Sequence, residues 1–253
     1  MSGAAMVGAI LYGLSAAWVA ETLVRAVPER ERPGLRLRCS HCANPFPAVA
    51  SVPVVGWAMA RTCDACGTPR SQRVVWQDVV AVVASLLVCA AGMAPLITAA
   101  WLVFVPAAVA LASIDLSLKR LPDLLTLPAA ALTLVLLALD ASMRGSGMLA
   151  TTLGASVVLF LVYLVMHLVT RGGMGMGDVK LALSLGALLG VLGVGAVLVG
   201  TLLAFVLGGL VSTVLLATGR ANRKSTIPFG PFMLLGAFAA LPLGNPVLTL
   251  LGL

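Results

Sequence analysis

Eight apolar stretches follow one another along this chain, at about residues 4 to 26, 78 to 93, 95 to 114, 124 to 140, 149 to 170, 179 to 193, 195 to 218 and 231 to 251. A run of roughly 20 such residues can cross the hydrocarbon core of a bilayer as a helix. The pattern therefore predicts an all-α polytopic membrane protein with about eight transmembrane helices. Only 10% of the 253 residues are charged and 60% are hydrophobic, whereas soluble domains carry about 25% charged residues. A water-soluble globule is excluded. No Lys or Arg precedes the first stretch, while Arg25, Arg30 and Arg32 follow it. That order is the reverse of a secretory signal peptide, so the stretch reads as a retained first helix.

The net charge of +7 would suit nucleic acid, but the basic residues follow a membrane topology instead. With the N-terminus outward, fifteen of the sixteen Lys and Arg fall on inward segments and only Arg144 falls outside. This bias predicts a membrane protein with both termini outside and the long polar loop in the cytoplasm. The lipid bilayer is the expected partner, and nucleic acid is not. The expected organisation is a first transmembrane helix at residues 1 to 26, a cytoplasmic zinc-binding loop at 27 to 77, and a membrane domain at 78 to 253. The segment from 141 to 148, with Ser142, Gly145, Ser146 and Gly147, is expected to be an outward turn.

Four of the five cysteines lie in the loop, as Cys39-Ser-His-Cys42 and Cys63-Asp-Ala-Cys66, with twenty residues between the pairs. This spacing is that of a structural zinc site, and four thiolates can enclose the metal tetrahedrally. A loop of about 50 residues builds little core, so metal binding would supply much of its folding free energy. The alternatives are four reduced thiols or two disulfides, and a cytoplasmic location disfavours the disulfides. His41, between two of the cysteines, reads as solvent-facing. Cys89, within an apolar span, reads as a small packed hydrophobe.

A carboxylate at membrane depth costs roughly 2.5 to 3.5 kcal/mol on insertion scales, so the acids after residue 80 each need a reason. Asp115 closes the third span, and Asp178 follows the run Gly172-Gly173-Met174-Gly175-Met176-Gly177 at the start of the sixth. Both are expected at the same depth on the cytoplasmic side. Two carboxylates in hydrogen-bonding range share a proton, one acting as general base on water and the other as acid on a scissile carbonyl. That is aspartic-protease chemistry, with Asp115 and Asp178 as the candidate catalytic pair. Gly175, Gly177, Lys180 and Asp123 are the expected supporting residues, the glycines allowing close backbone approach and Asp123 suiting a helix N-terminus. Asp140 reads as interfacial, and His167 as packed on an apolar span.

These residues resemble those of the bacterial type IV prepilin peptidases. Four blocks carry the resemblance. They are the cysteine loop with Val52-Pro53-Val54-Val55-Gly56-Trp57, Asp115 with Leu121-Pro122-Asp123-Leu124-Leu125-Thr126-Leu127-Pro128, the GxGD block Gly175-Met176-Gly177-Asp178-Val179-Lys180-Leu181, and Ile227-Pro228-Phe229-Gly230-Pro231-Phe232. The resemblance implies cleavage of the basic leader of type IV prepilins or type II secretion pseudopilins at the cytoplasmic face, usually after a glycine. It also implies N-methylation of the new terminus, with S-adenosylmethionine as donor. Three positions depart from the family pattern: its acid before the GMG run is Gly172 here, its asparagine-containing segment reads Glu21 to Pro28, and its glutamate at the second span is Asp78. Two other readings compete. One is a membrane transporter or scaffold whose aspartates line an ion path, and the other is a GxGD protease that cuts within transmembrane helices.

Overall fold

Proline at position 106 falls inside an apolar run that is otherwise ideal for a helix, and it removes one backbone donor. The computed structural model shows how the loss is met. The helix continues from Pro95 to Leu118, and the Tyr12 hydroxyl donates to the freed Leu102 carbonyl at 2.7 Å. The bond crosses from the first helix to the third, so a local defect becomes an interhelical tie. Tyr12→Phe should lower the melting temperature in detergent by about 2 to 4 °C, the scale of a 1 kcal/mol loss in a chain of this size. In a Pro106→Ala background, where Leu102 regains its helical donor, the same change should cost almost nothing.

The structure describes residues 2–26, 39, 41–42, 44, 62–68, 73–144, 146–170, 174–220, 222 and 227–251. The Val52 to Trp57 stretch, Gly172, Gly173 and the basic residues 30, 32, 36, 38, 61, 70, 171, 223 and 224 lie outside the described residues. Among the described residues the regular elements are helices: α1 Gly3–Ala26, α2 Arg73–Ala90, α3 Pro95–Leu118, α4 Asp123–Arg144, α5 Ser146–Val169, α6 Met176–Gly190, α7 Val194–Ala217 and α8 Gly230–Leu251. Each of the eight apolar stretches corresponds to one of them. Five, namely α1, α3, α4, α5 and α7, are long and apolar enough to cross a membrane, while α2 and α8 contribute shorter apolar segments. The chain is a multi-pass membrane protein. The segment expected as a turn at 141 to 148 is mostly helix, because α4 runs to Arg144 and α5 resumes at Ser146. Arg144 reaches back one turn to Asp140 at 3.1 Å, which supports the last turn of α4. Asp140, expected to be interfacial, is buried.

Two helices occupy the middle of the bundle. α3 packs on α1, α2, α4 and α8, and α6 packs on α4, α5, α7 and α8. Of the α3 span, 67% is buried, against 22% to 39% for the other long spans. A helix apolar on every side fits such a position. α6 is only 15 residues long, and its packing against α5 rests on small residues. A Cβ on Gly186 would lie 2.7 Å from Ser156 Cα, and one on Gly190 would lie 2.5 Å from Ala155 Cβ. This is the small-xxx-small contact by which helices approach closely in lipid. The end of α3, the segment leading into α6 and the segment leading into α8 line one cavity, and the end of α5 is tied to it through His167 and Met174.

Candidate active site

That cavity gathers the acids. Asp115 lies in the last turn of α3, which stops at Lys119, a residue in the left-handed conformation (φ 52, ψ 40) whose N–H bonds the Asp115 carbonyl at 2.8 Å. The turn continues through Leu121 and Pro122 into α4. Asp178 lies in the first turn of α6, where its carboxylate accepts the Gly175 N–H at 3.2 Å. The Asp115 carboxylate accepts the Gly230 N–H at 3.0 Å, at the start of α8. Each acid thus receives a backbone donor from a helix N-terminus, where the macrodipole favours negative charge. Both side chains are buried, and they line one cavity.

Leu121 explains how three segments converge. A Cβ on Gly177 would lie 2.6 Å from Leu121 Cβ, and one on Gly230 would lie 3.3 Å from Leu121 Cδ1. The turn after α3 is therefore clamped between the starts of α6 and α8, and any larger residue at 177 would part them. Asp123, the first residue of α4, accepts from Lys180 Nζ at 2.6 Å. Where a helix-capping role was expected, the carboxylate joins α4 to α6. The pair is too exposed to add more than about 1 kcal/mol, so its contribution is to register. Gly175 and Gly177 line the cavity with the two acids, whereas Lys180 and Asp123 pair with each other and are not among the residues that line it.

Two features went unread in the sequence. His167 does more than pack, since its Nδ1 lies 2.7 Å from the Met174 carbonyl and ties the end of α5 to the segment carrying Asp178. Its place in the last turn of a helix beside a glycine run was the available signal. Gly230 had no assigned role, although glycine before proline at a helix start is itself a signal. The cavity between these elements holds about 320 Å³ and is walled by Leu121, Met174, Met176, Ile227 and Phe229 as well as the acids. Its size falls within the range of ligand clefts, about 300 to 1,000 Å³.

The four loop cysteines form a second cluster. Their Sγ atoms all lie within 4.8 Å of one another, with Cys39 to Cys66 at 3.5 Å and Cys42 to Cys63 at 3.6 Å. Tetrahedral thiolates about 2.3 Å from a zinc ion stand about 3.8 Å apart, so the residues fit the metal. The two halves repeat one local design: the Cys39 N–H bonds Asn44 O at 2.8 Å and the Cys63 N–H bonds Thr68 O at 3.0 Å. The Thr68 hydroxyl and backbone beside Cys66 pull its thiol down to about 6, towards the thiolate a metal needs. His41 is exposed and takes part only through its N–H, which points at Cys39 Sγ at 3.4 Å. All four cysteines are free thiols rather than disulfides.

Fold and site together define a polytopic helical membrane protein with a paired-carboxylate centre and a four-cysteine cluster. The chain belongs to the type IV leader peptidase family. The model of that family matches residues 102–213, and the model of the bacterial peptidase A24 N-terminal domain matches residues 11–91. The chain is similar to the prepilin leader peptidase/N-methyltransferase of Burkholderia pseudomallei, 34% identical over 226 residues that cover 86% of this chain and 70% of the relative. Relatives of the same name from Stutzerimonas stutzeri and Aeromonas hydrophila are 32% and 30% identical, each covering 83% of this chain and 72% of the relative. No solved structure matches the chain significantly.

Proposed function

We propose that this chain is an aspartic endopeptidase of the inner membrane that removes the basic leader from type IV prepilins or type II secretion pseudopilins, with Asp115 and Asp178 as the catalytic pair. The observation that carries the reading is the shared cavity, into which the two central helices bring one buried carboxylate each. A water held between the acids loses a proton to the ionised one as its oxygen attacks the scissile carbonyl, while the protonated one donates to the carbonyl oxygen. Collapse of the tetrahedral intermediate breaks the C–N bond, the amine taking a proton from the pair. Because no residue becomes acylated, the pair is restored in one turnover.

Lys119 and Arg120 line the cavity with the acids, Lys180 pairs with Asp123 at the start of α4, and Arg144 lies at the opposite end of that helix. This distribution supports a cytoplasmic site. Residues 27 to 77 then form a cytoplasmic module in which Cys39, Cys42, Cys63 and Cys66 hold a structural zinc. Metal analysis of protein purified without chelator should find about one zinc per chain, and Ser at any one of the four cysteines should lose it, because three ligands leave a structural site open. N-methylation of the new terminus, with S-adenosylmethionine as donor, is assigned to the same chain. Binding of the donor is assigned to the module. Mass spectrometry of a synthetic prepilin after incubation with the purified protein tests both activities, since cleavage removes the leader and methylation adds one methyl group to the mature terminus. An uncleaved substrate would overturn the reading, and a cleaved but unmethylated one would remove only the transferase.

A further inference from the structure

The apolar helix α5 ends on a histidine. His167 lies in its last turn, one turn beyond Tyr163, whose buried ring stacks on Phe205 and packs against Phe229. Positions four apart share a helix face, so His167 turns with Tyr163 towards the site, where Phe229 is part of the cavity wall. Its Nδ1 stands 2.7 Å from the Met174 carbonyl. A carbonyl only accepts, so Nδ1 carries the proton and donates it. His167 is not itself among the residues that line the cavity, and whatever it does for the acids passes through Met174.

The peptide that accepts this bond is the one that also serves Asp178. Met174 supplies its carbonyl and Gly175 its N–H, which donates to Asp178 Oδ2 at 3.2 Å. In a trans peptide the two groups point in opposite directions within one plane, so fixing one fixes the other. A bond accepted by the carbonyl also polarises the amide and strengthens its N–H as a donor. Asp115 offers the comparison. Its donor, the Gly230 N–H, belongs to the peptide whose carbonyl is that of Phe229, and this oxygen accepts from the Phe232 and Met233 N–H groups at 3.0 and 3.2 Å. The first turn of α8 thus holds the donor of Asp115 with its own backbone. Met174 instead precedes the N-cap residue Gly175, and among the described residues no backbone N–H reaches its carbonyl. The imidazole takes the place that backbone donors fill at α8. It hangs from a helix that is itself seated on α6 through Gly186 and Gly190.

We infer that His167 is a positioning residue for the aspartate pair, holding the peptide between Met174 and Gly175 so that its N–H meets the Asp178 carboxylate in the geometry that proton transfer needs. The inference rests on the leader-peptidase reading. Two consequences separate it from a packing role. Only a donor at the place of Nδ1 can serve, so a residue of similar bulk without one fails. The loss falls on kcat and spares KM, because the side chain lies outside the cavity wall and acts on the reacting carboxylate alone.

The test compares His167→Leu, His167→Asn and His167→Gln with the wild type on a synthetic prepilin in neutral detergent. Leu fills the space without a donor. The Asn amide carries its N–H group as far from the backbone as Nδ1, whereas the Gln amide carries it out towards the place of Nε2. Leu and Gln should each lose about tenfold in kcat, the scale of one hydrogen bond, with KM within about twofold of the wild type. Asn should recover to within about threefold of the wild-type kcat, since it restores the same bond. The chain has two histidines, so the ring can also be read directly by NMR of protein carrying nitrogen-labelled histidine. The signal that disappears in His167→Asn should show a proton on Nδ1. Wild-type kcat in His167→Leu, equal losses in all three variants, or a ring protonated on Nε2 alone would overturn the inference and leave the peptidase intact. A loss confined to KM would also overturn it and assign His167 to substrate binding. If His167→Leu fails to insert, Asn against Gln decides, a faster Asn variant upholding the inference and equal rates overturning it. Failure of the wild type to cleave the prepilin would instead defeat the leader-peptidase reading, and the inference with it.

Discussion

Asn at either Asp115 or Asp178 will lower leader cleavage by at least about 10³-fold, near the upper end of what one positioned acid or base contributes. The amide keeps the size and one oxygen of the carboxylate, so the Gly230 and Gly175 N–H groups can still be met. It can neither take a proton from water nor give one to the carbonyl. The double variant should be no slower than the single ones, because the second loss removes a partner that already has nothing to work with. Insertion and zinc content should be unchanged in all three. Asp123→Asn should cost far less, since Asp123 reaches the site only through Lys180. An Asp123→Asn enzyme as slow as Asp178→Asn would show that the proton chemistry had been placed on the wrong acids.

Gly230→Ala should cost about 10²-fold in kcat with little change in KM, although it adds only a methyl group. That methyl would lie 2.8 Å from Asp115 Oδ2 and 3.3 Å from Leu121 Cδ1. The carboxylate therefore has to move by a few tenths of an ångström, or the start of α8 has to retreat and take its N–H with it. Proton transfer depends on reacting atoms staying in hydrogen-bond range, and misplacement by about 1 Å is worth about 10²-fold. Gly209→Ala on α7 is the control, because a Cβ there meets nothing within 4 Å. Equal activity of Gly230→Ala and Gly209→Ala would show that α8 takes no part in setting Asp115.

What could be read from the sequence was what repeats or is costly. Eight apolar runs became eight helices, two CxxC pairs at a metal spacing became one cluster of thiols, and the two acids at the ends of apolar runs line one cavity. The unread part depends on contacts between distant positions. The bond from Gly230 to Asp115 spans 115 residues, and that from Lys180 to Asp123 spans 57. No local propensity encodes either one. The rescue of Leu102 by Tyr12 belongs to the same kind, for Pro106 shows that a carbonyl is freed without showing which helix will meet it. Hydropathy placed Asp140 at the end of a span but could not tell which side it turns, and the residue is buried against its neighbours. The turn expected from Ser142, Gly145 and Gly147 shrank because the pair of Asp140 and Arg144 favours one more helical turn.

Hydrolysis of a prepilin leader by Asp115 and Asp178 acting together can be tested directly. The most direct measurement incubates the purified chain, in neutral detergent and then in sealed vesicles, with a synthetic prepilin, and reads the products by mass spectrometry beside Asp178→Asn. The predicted result is a single cut that separates the basic leader from the mature segment, made by the wild type alone and equally well in detergent and in vesicles. Cutting at several positions within the apolar segment would indicate an intramembrane protease. Cutting by Asp178→Asn, or an intact substrate alongside ion flux in vesicles that depends on the two aspartates, would contradict the claim.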